Sequence, residues 1–111
     1  MIIKTEDYNV DCTDPKKALL IGSMRLPSPL SYENIFDPIK ECLEKSTTEY
    51  AINIKDLNYM NSSGLTALAR LLIMARTLKR PITIYANDNI PWQRKSLVSL
   101  EKLWDQIKIQ Y

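Results

Sequence analysis

The sequence predicts a single α/β domain built on a small mixed sheet of about five strands with three or four helices. Apolar residues recur at the two-residue period of strands in some segments and at the 3.6-residue period of helices in others. These segments follow one another in the order β-β-α-β-α-β-α-β. A chain of 111 residues, 45% hydrophobic and 25% charged, has the size and composition of one globular domain, residues 1–111.

The first two strands form a predicted antiparallel hairpin. Tyr8, Val10 and Cys12 alternate on one face, and residues 18–24 form a short apolar run. The turn signal Asp14-Pro15 lies between the two segments, so we expect them to be neighbours in the sheet.

The first helix is predicted to follow a stiff loop over residues 26–31, which contain two prolines. Apolar residues at helical spacing come next, at Ile35, Ile39, Cys42 and Leu43. Because proline fits the first position of a helix, we expect Asp37 to cap a helix that starts at Pro38 and ends near Lys45.

The second half of the chain alternates strands and helices. Apolar alternation predicts strands over residues 50–54, 82–85 and 107–109. Apolar stripes predict helices over residues 63–78 and 91–104. Strand–helix–strand repeats imply right-handed crossovers and parallel pairing of the later strands.

The composition argues against several classes of enzyme. The chain has no histidine, which excludes a Ser-His-Asp triad and a histidine-ligated metal site. Cys12 and Cys42 lie far apart on predicted apolar faces, which is typical of reduced core thiols. Neither a phosphate-binding glycine motif nor a G-x-S-x-G elbow is present. We therefore expect no catalytic site, cofactor or metal.

An excess of basic side chains can indicate nucleic-acid binding. Net charge is +2, and residues 62–111 contribute eight basic and three acidic side chains, or +5. Solvated helix faces explain this excess more simply, so we expect no nucleic-acid partner. The longest apolar stretch near the middle, residues 71–75, is far short of the ~20 residues that cross a bilayer. With acidic residues at the start instead of a signal peptide, we expect a cytoplasmic protein with no membrane partner.

The most informative stretch is residues 56–68, DLNYMNSSGLTAL. Asn61, Ser62 and Ser63 are all good helix caps, and Gly64 has no side chain to crowd the first turn. We expect one serine to cap the helix and the other to face solvent, where the helix dipole favours an anion. From spacing alone, a purely structural cap is the favoured explanation of these residues, because Ser and Asn are common before helices.

This stretch resembles the signature of the STAS family, named after sulfate transporters and anti-sigma-factor antagonists. The resemblance consists of Asp56-Leu57, Asn61, the Ser62-Ser63 pair and Gly64-Leu65, and the predicted element order agrees with it. It implies a regulatory protein–protein interaction module that is a monomer or a weak dimer. It also implies that a partner Ser/Thr kinase phosphorylates Ser62, a phosphatase reverses this, and the partner binds at Asn61, Ser62, Ser63, Gly64 and Leu65.

The sequence departs from the antagonist pattern after Gly22. Antagonists often carry two acids there, whereas this chain has Ser23 and Arg25. The resemblance therefore implies a partner surface different from that of a standard antagonist. Two alternatives without phosphorylation stay open: a constitutive scaffold or oligomerisation module, and a sensor that binds a small anion at the helix start.

Overall fold

A computed structural model describes residues 2–111 as a six-stranded mixed sheet with three helices. The strands are β1 (Ile2–Lys4), β2 (Tyr8–Asp11), β3 (Lys17–Met24), β4 (Tyr50–Met60), β5 (Ile82–Tyr85) and β6 (Ile107–Gln110). The helices are α1 (Pro29–Lys45), α2 (Ser62–Leu78) and α3 (Pro91–Glu101). The predicted α/β class is confirmed, and the predicted order holds from β2 onward. The sequence analysis missed β1, because three residues are too few to show a period.

The strands lie in the sheet in sequence order. β1, β2 and β3 pair antiparallel, which confirms the predicted hairpin, and β3, β4, β5 and β6 pair parallel. Right-handed crossovers between parallel strands in sequential order place all three helices on one face. That face holds the single core, to which the strands contribute Val10, Leu20, Ile52, Ile84 and Ile107 among others. The other face of the sheet has no helix over it.

The helix α1 starts earlier than predicted. Ser28 is its cap, with the side chain accepting a hydrogen bond from the backbone of Ser31, and Pro29 takes the favourable first position. The predicted loop is therefore confirmed for residues 26–28 and wrong for residues 29–31, and the predicted cap at Asp37 is wrong. The helix runs through Pro38, at a cost of about 3 kcal/mol. It buries four large side chains at roughly 1.5–3 kcal/mol each, which outweighs that cost; they are Tyr32, Phe36, Ile39 and Leu43.

The strand β4 continues six residues beyond the predicted end at Ile54, as far as Met60. Two irregularities in its pairing with β3 each insert one extra β4 residue. These insertions break the two-residue alternation, which is why the sequence pattern stopped early. Gln93, fully buried on α3, satisfies the backbone there: its Nε2 donates to the carbonyls of Ile54 (2.6 Å) and Leu57 (3.0 Å). Helix α3 itself ends at Glu101, three residues before the predicted end.

The two cysteines are free thiols. Cys12 is buried in the core, and this burial raises its pKa to about 11. Cys42 is half-buried and packs against the same core. Both positions agree with the predicted core role, and Cys12 is mostly the unreactive thiol at neutral pH.

Candidate functional site

The residues of the STAS-like motif lie where β4 ends and α2 begins. Asn61 caps α2: its Oδ1 accepts hydrogen bonds from the Gly64 backbone (3.1 Å) and from the Tyr32 hydroxyl (2.7 Å). Its Nδ2 donates to the carbonyl of Leu26 (2.9 Å), and its backbone N–H donates to the carbonyl of Met24 (3.2 Å). Asn61 thus ties the start of α2 to the end of β3 and to α1.

The serines do not cap the helix, contrary to the prediction. Because Asn61 takes that position, α2 starts at Ser62, and Ser62 and Ser63 are its first two residues. The Ser62 side chain is exposed, and its hydroxyl makes no hydrogen bond to another of residues 2–111. Ser63 is half-buried. The expectation that one serine faces solvent at the start of the helix is confirmed for Ser62.

Gly64 is required by packing and not by its backbone angles. It is buried, and a Cβ built at this position would lie 2.4 Å from Cγ of Met60 and 2.8 Å from Cζ of Tyr32. Atoms in real proteins do not approach so closely, so any side chain here would push α2 away from α1. The glycine lets the Tyr32 ring reach Asn61.

The hydroxyl of Tyr32 donates to Asn61. Tyr32 is fully buried, and this burial raises the pKa of a hydroxyl that is already protonated at neutral pH. The same oxygen accepts a hydrogen bond from the backbone of Leu26 (3.3 Å). We call Tyr32, Asn61 and Gly64 the inner cluster.

Three further residues lie on segments that adjoin this helix start: Arg25 directly follows β3, Tyr59 is the next-to-last residue of β4, and Leu30 lies in the first turn of α1. Arg25 lies in the sequence between Met24 and Leu26, whose carbonyls accept hydrogen bonds from Asn61. The Arg25 guanidinium lies 4.5 Å from the centre of the Tyr59 ring. Tyr59 is 38% exposed, and Leu30 in the first turn of α1 is 66% exposed. We call Arg25, Leu30, Tyr59 and Ser62 the docking edge.

The sequence analysis identified Ser62 and noted Arg25 but missed Leu30 and Tyr59. Leu30 fell in the segment predicted to be a loop, and Tyr59 lies beyond both irregularities of β4, so no periodic pattern marked either side chain as exposed. Leu65, by contrast, was predicted to contact a partner, yet it is half-buried against the core. Its main role in this structure is packing.

The docking edge is electropositive near Ser62. The first turn of α2 contains no acidic residue, its N–H groups concentrate positive partial charge, and Arg25 adds a full charge. One carboxylate lies in the vicinity: Asp7 lines, with Arg25, a small cavity of about 300 Å³ beside the docking edge. An anion at Ser62 is therefore favoured by the fold itself.

Comparison with known proteins assigns no family. No protein-family model matches the chain, and no curated protein matches it at a significant level. Within residues 2–111, no helix is both long and apolar enough to cross a membrane. The same residues contain no group of three His, Cys, Asp or Glu side chains placed to hold a metal ion.

Proposed function

We propose that this protein is a non-enzymatic regulatory module whose docking edge binds a protein partner, and that phosphorylation of Ser62 switches this binding. The observation that carries the proposal is the contrast at the start of α2. Ser62 presents an unbonded hydroxyl to solvent, while its neighbours Asn61 and Gly64 hold the backbone in place. The resemblance to anti-sigma-factor antagonists supports the same role.

The physics of the switch follows from the charge of the phosphate. A phosphate on Ser62 brings about −1.5 to −2 charges to the first turn of α2. The fold tolerates this charge, because the helix dipole and Arg25 both attract it. A partner that docks against Leu30 and Tyr59 would have to desolvate the phosphate or move it away. Phosphorylation should therefore weaken binding while leaving stability nearly unchanged.

Arg25 defines the partner further. An exposed arginine beside Ser62 favours a partner with a carboxylate at the facing position. A phosphate on Ser62 would compete for the same guanidinium, so the switch removes an attractive contact and adds a repulsive one. We propose a Ser/Thr kinase and a phosphatase as the enzymes that act on Ser62, in the cytoplasm, with the module itself a monomer or a weak dimer.

A constitutive scaffold is the second candidate. Leu30 and Tyr59 are exposed apolar side chains, and such residues support docking whether or not Ser62 is modified. Under this alternative, the Ser62→Asp variant would keep the partners of the wild type.

The experiment that tests the proposal is phosphorylation in an extract of the source cells with labelled ATP. Wild type, Ser62→Ala and the matched control Ser63→Ala are compared, and the modified residue is identified by tandem mass spectrometry. We expect label in wild type and Ser63→Ala and none in Ser62→Ala. Label that persists in Ser62→Ala would remove Ser62 from this role.

A further inference from the structure

We propose that the uncovered face of the sheet is a second binding surface, which takes an acidic, extended segment of a partner protein. This surface is a shallow groove of about 660 Å³ over the outer sides of β3, β4 and β5. We call it the lysine groove; side chains along it include Lys16, Lys17, Asn53, Lys55, Thr83 and Tyr85. It does not include Ser62 or any residue of the docking edge.

The parallel part of this sheet leaves one face open, which parallel sheets rarely do. Parallel strands normally occur with both faces covered, because helices pack on each side. Here β3, β4, β5 and β6 are parallel, and all three helices lie on the other face. The groove exposes backbone and side chains of the central strand β4, including Ala51 and Asn53. An open central strand of this kind is a surface that another chain can cover.

The lysine groove carries an excess of positive charge. Three ammonium groups line the groove against the single carboxylate of Glu49. The ion pairs within residues 2–111 are Lys40–Asp37, Arg70–Glu33 and Arg94–Asp88, so none of them neutralises a groove lysine. The Nζ of Lys55 lies 5.9 Å from the centre of the Tyr85 ring, within reach of a cation–π contact. An anionic occupant complements these charges.

The surroundings of Tyr85 indicate the class of anion. Proteins that bind single-stranded nucleic acid on a sheet offer aromatic rings on which bases stack. Tyr85, an aromatic ring in the groove, already lies against the Lys55 ammonium. A cation is thus placed over this ring, which favours carboxylates over bases as the occupant.

The shape of the groove fits a short extended segment. Residues 50–55 of β4 run along it, a length of about 16 Å at 3.3 Å per residue, which matches about five residues of extended chain. Polar side chains that can bond a peptide backbone lie along this path. Asn53 is one of them, and its Oδ1 is fixed by a hydrogen bond from the Lys55 backbone (3.0 Å).

The test is a binding measurement by fluorescence anisotropy with a fluorescein-labelled hexaglutamate peptide at low salt. The groove variant Lys17→Glu/Lys55→Glu is compared with the matched control Lys95→Glu/Lys102→Glu, which changes net charge equally on exposed positions away from the groove. We expect about tenfold weaker binding for the groove variant and less than twofold for the control. Equal losses in the two variants would overturn the proposal.

A second variant blocks the groove without changing its charge. Ala51→Trp fills the centre of the groove without altering any charge, and we expect it to weaken hexaglutamate binding at unchanged salt dependence. Unchanged affinity in this variant would contradict a groove-bound segment. A labelled dT12 oligonucleotide that binds the wild type while hexaglutamate does not would also overturn the assignment. Ser62→Asp should leave hexaglutamate binding unchanged, so this proposal and the switch at Ser62 fail separately.

Discussion

Asn61 and Ser62 are adjacent in the chain, but the Asn61 side chain is hydrogen-bonded within the fold and the Ser62 side chain is exposed to solvent. Asn61 belongs to the inner cluster, where it makes hydrogen bonds to a tyrosine, to the backbone of α2 and to the chain leaving β3. Ser62 belongs to the docking edge, where its side chain is exposed and its hydroxyl makes no hydrogen bond within residues 2–111. Asn61 therefore stabilises the start of α2, whereas Ser62 is the residue that the start of α2 exposes to solvent. Substitutions in the two regions should therefore affect different properties.

The largest effect is expected for Gly64→Ala in the inner cluster. The added methyl would meet Met60 and Tyr32 at distances far below contact, which should lower the free energy of unfolding by about 3 kcal/mol. Urea denaturation followed by circular dichroism measures this, with Ser63→Ala as the neighbouring control. A loss below about 1 kcal/mol would show that α1 and α2 are not packed as closely as described.

Asn61→Ala should come next. It removes the cap of α2, leaves the Leu26 carbonyl without its side-chain donor and leaves the Tyr32 hydroxyl without an acceptor, so we expect a loss of about 2–3 kcal/mol in unfolding free energy. Asn61→Asp is the matched variant, because it keeps the acceptor for Gly64 and loses only the donor to Leu26. Its loss in the same denaturation assay should be smaller; an equal loss would mean that capping is not the main contribution.

Tyr32→Phe should have a smaller effect of about 1 kcal/mol, since it deletes one hydroxyl and leaves the ring packed against Gly64. The shift in melting temperature reports it. A double-mutant cycle with Asn61→Ala should show coupling, because both substitutions remove the same hydrogen bond. Additive effects would contradict the bond between the two side chains.

Ser62→Asp should have the smallest effect on stability and a large one on docking. A carboxylate in the first turn of α2 is favoured by the helix dipole, so unfolding free energy should stay equal or rise by up to roughly 0.5 kcal/mol. Binding to a partner isolated with the wild-type protein should fall, whereas Ser63→Asp, which is half-buried, should change it less. A lower free energy of unfolding for Ser62→Asp, together with weaker binding, would contradict the separation of the docking edge from the inner cluster.

Much of the fold followed from local sequence patterns. Helix α2 was predicted to within one residue at its start, because its apolar stripe and the cap-forming residues before it agree. β5 and the hairpin of β2 and β3 also followed from simple alternation and a turn signal. In each of these elements, a pattern of residues close together in the sequence is enough to predict the structure.

The remaining features depend on contacts distant in sequence. The start of α1 at Pro29 is stabilised by burial of side chains against other elements, which outweighs the penalty of Pro38. The irregular course of β4 depends on Gln93, 39 residues from the Ile54 carbonyl that it bonds. The same holds for the site: Tyr32 reaches Asn61 across 29 residues. The exposure of Ser62 was predictable, because it follows from the start of one helix. The residues around Ser62 were not predictable, because contacts distant in sequence place them there.

The most direct test of the account is the affinity of the protein for its docking partner with phosphoserine installed at position 62, against the unmodified chain and a chain with phosphoserine at position 63. Titration calorimetry should give at least about tenfold weaker binding for phosphoserine 62, a smaller change for phosphoserine 63, and the same melting temperature for phosphoserine 62 as for the unmodified chain. Equal affinity of the phosphoserine 62 and unmodified chains would contradict the proposed switch.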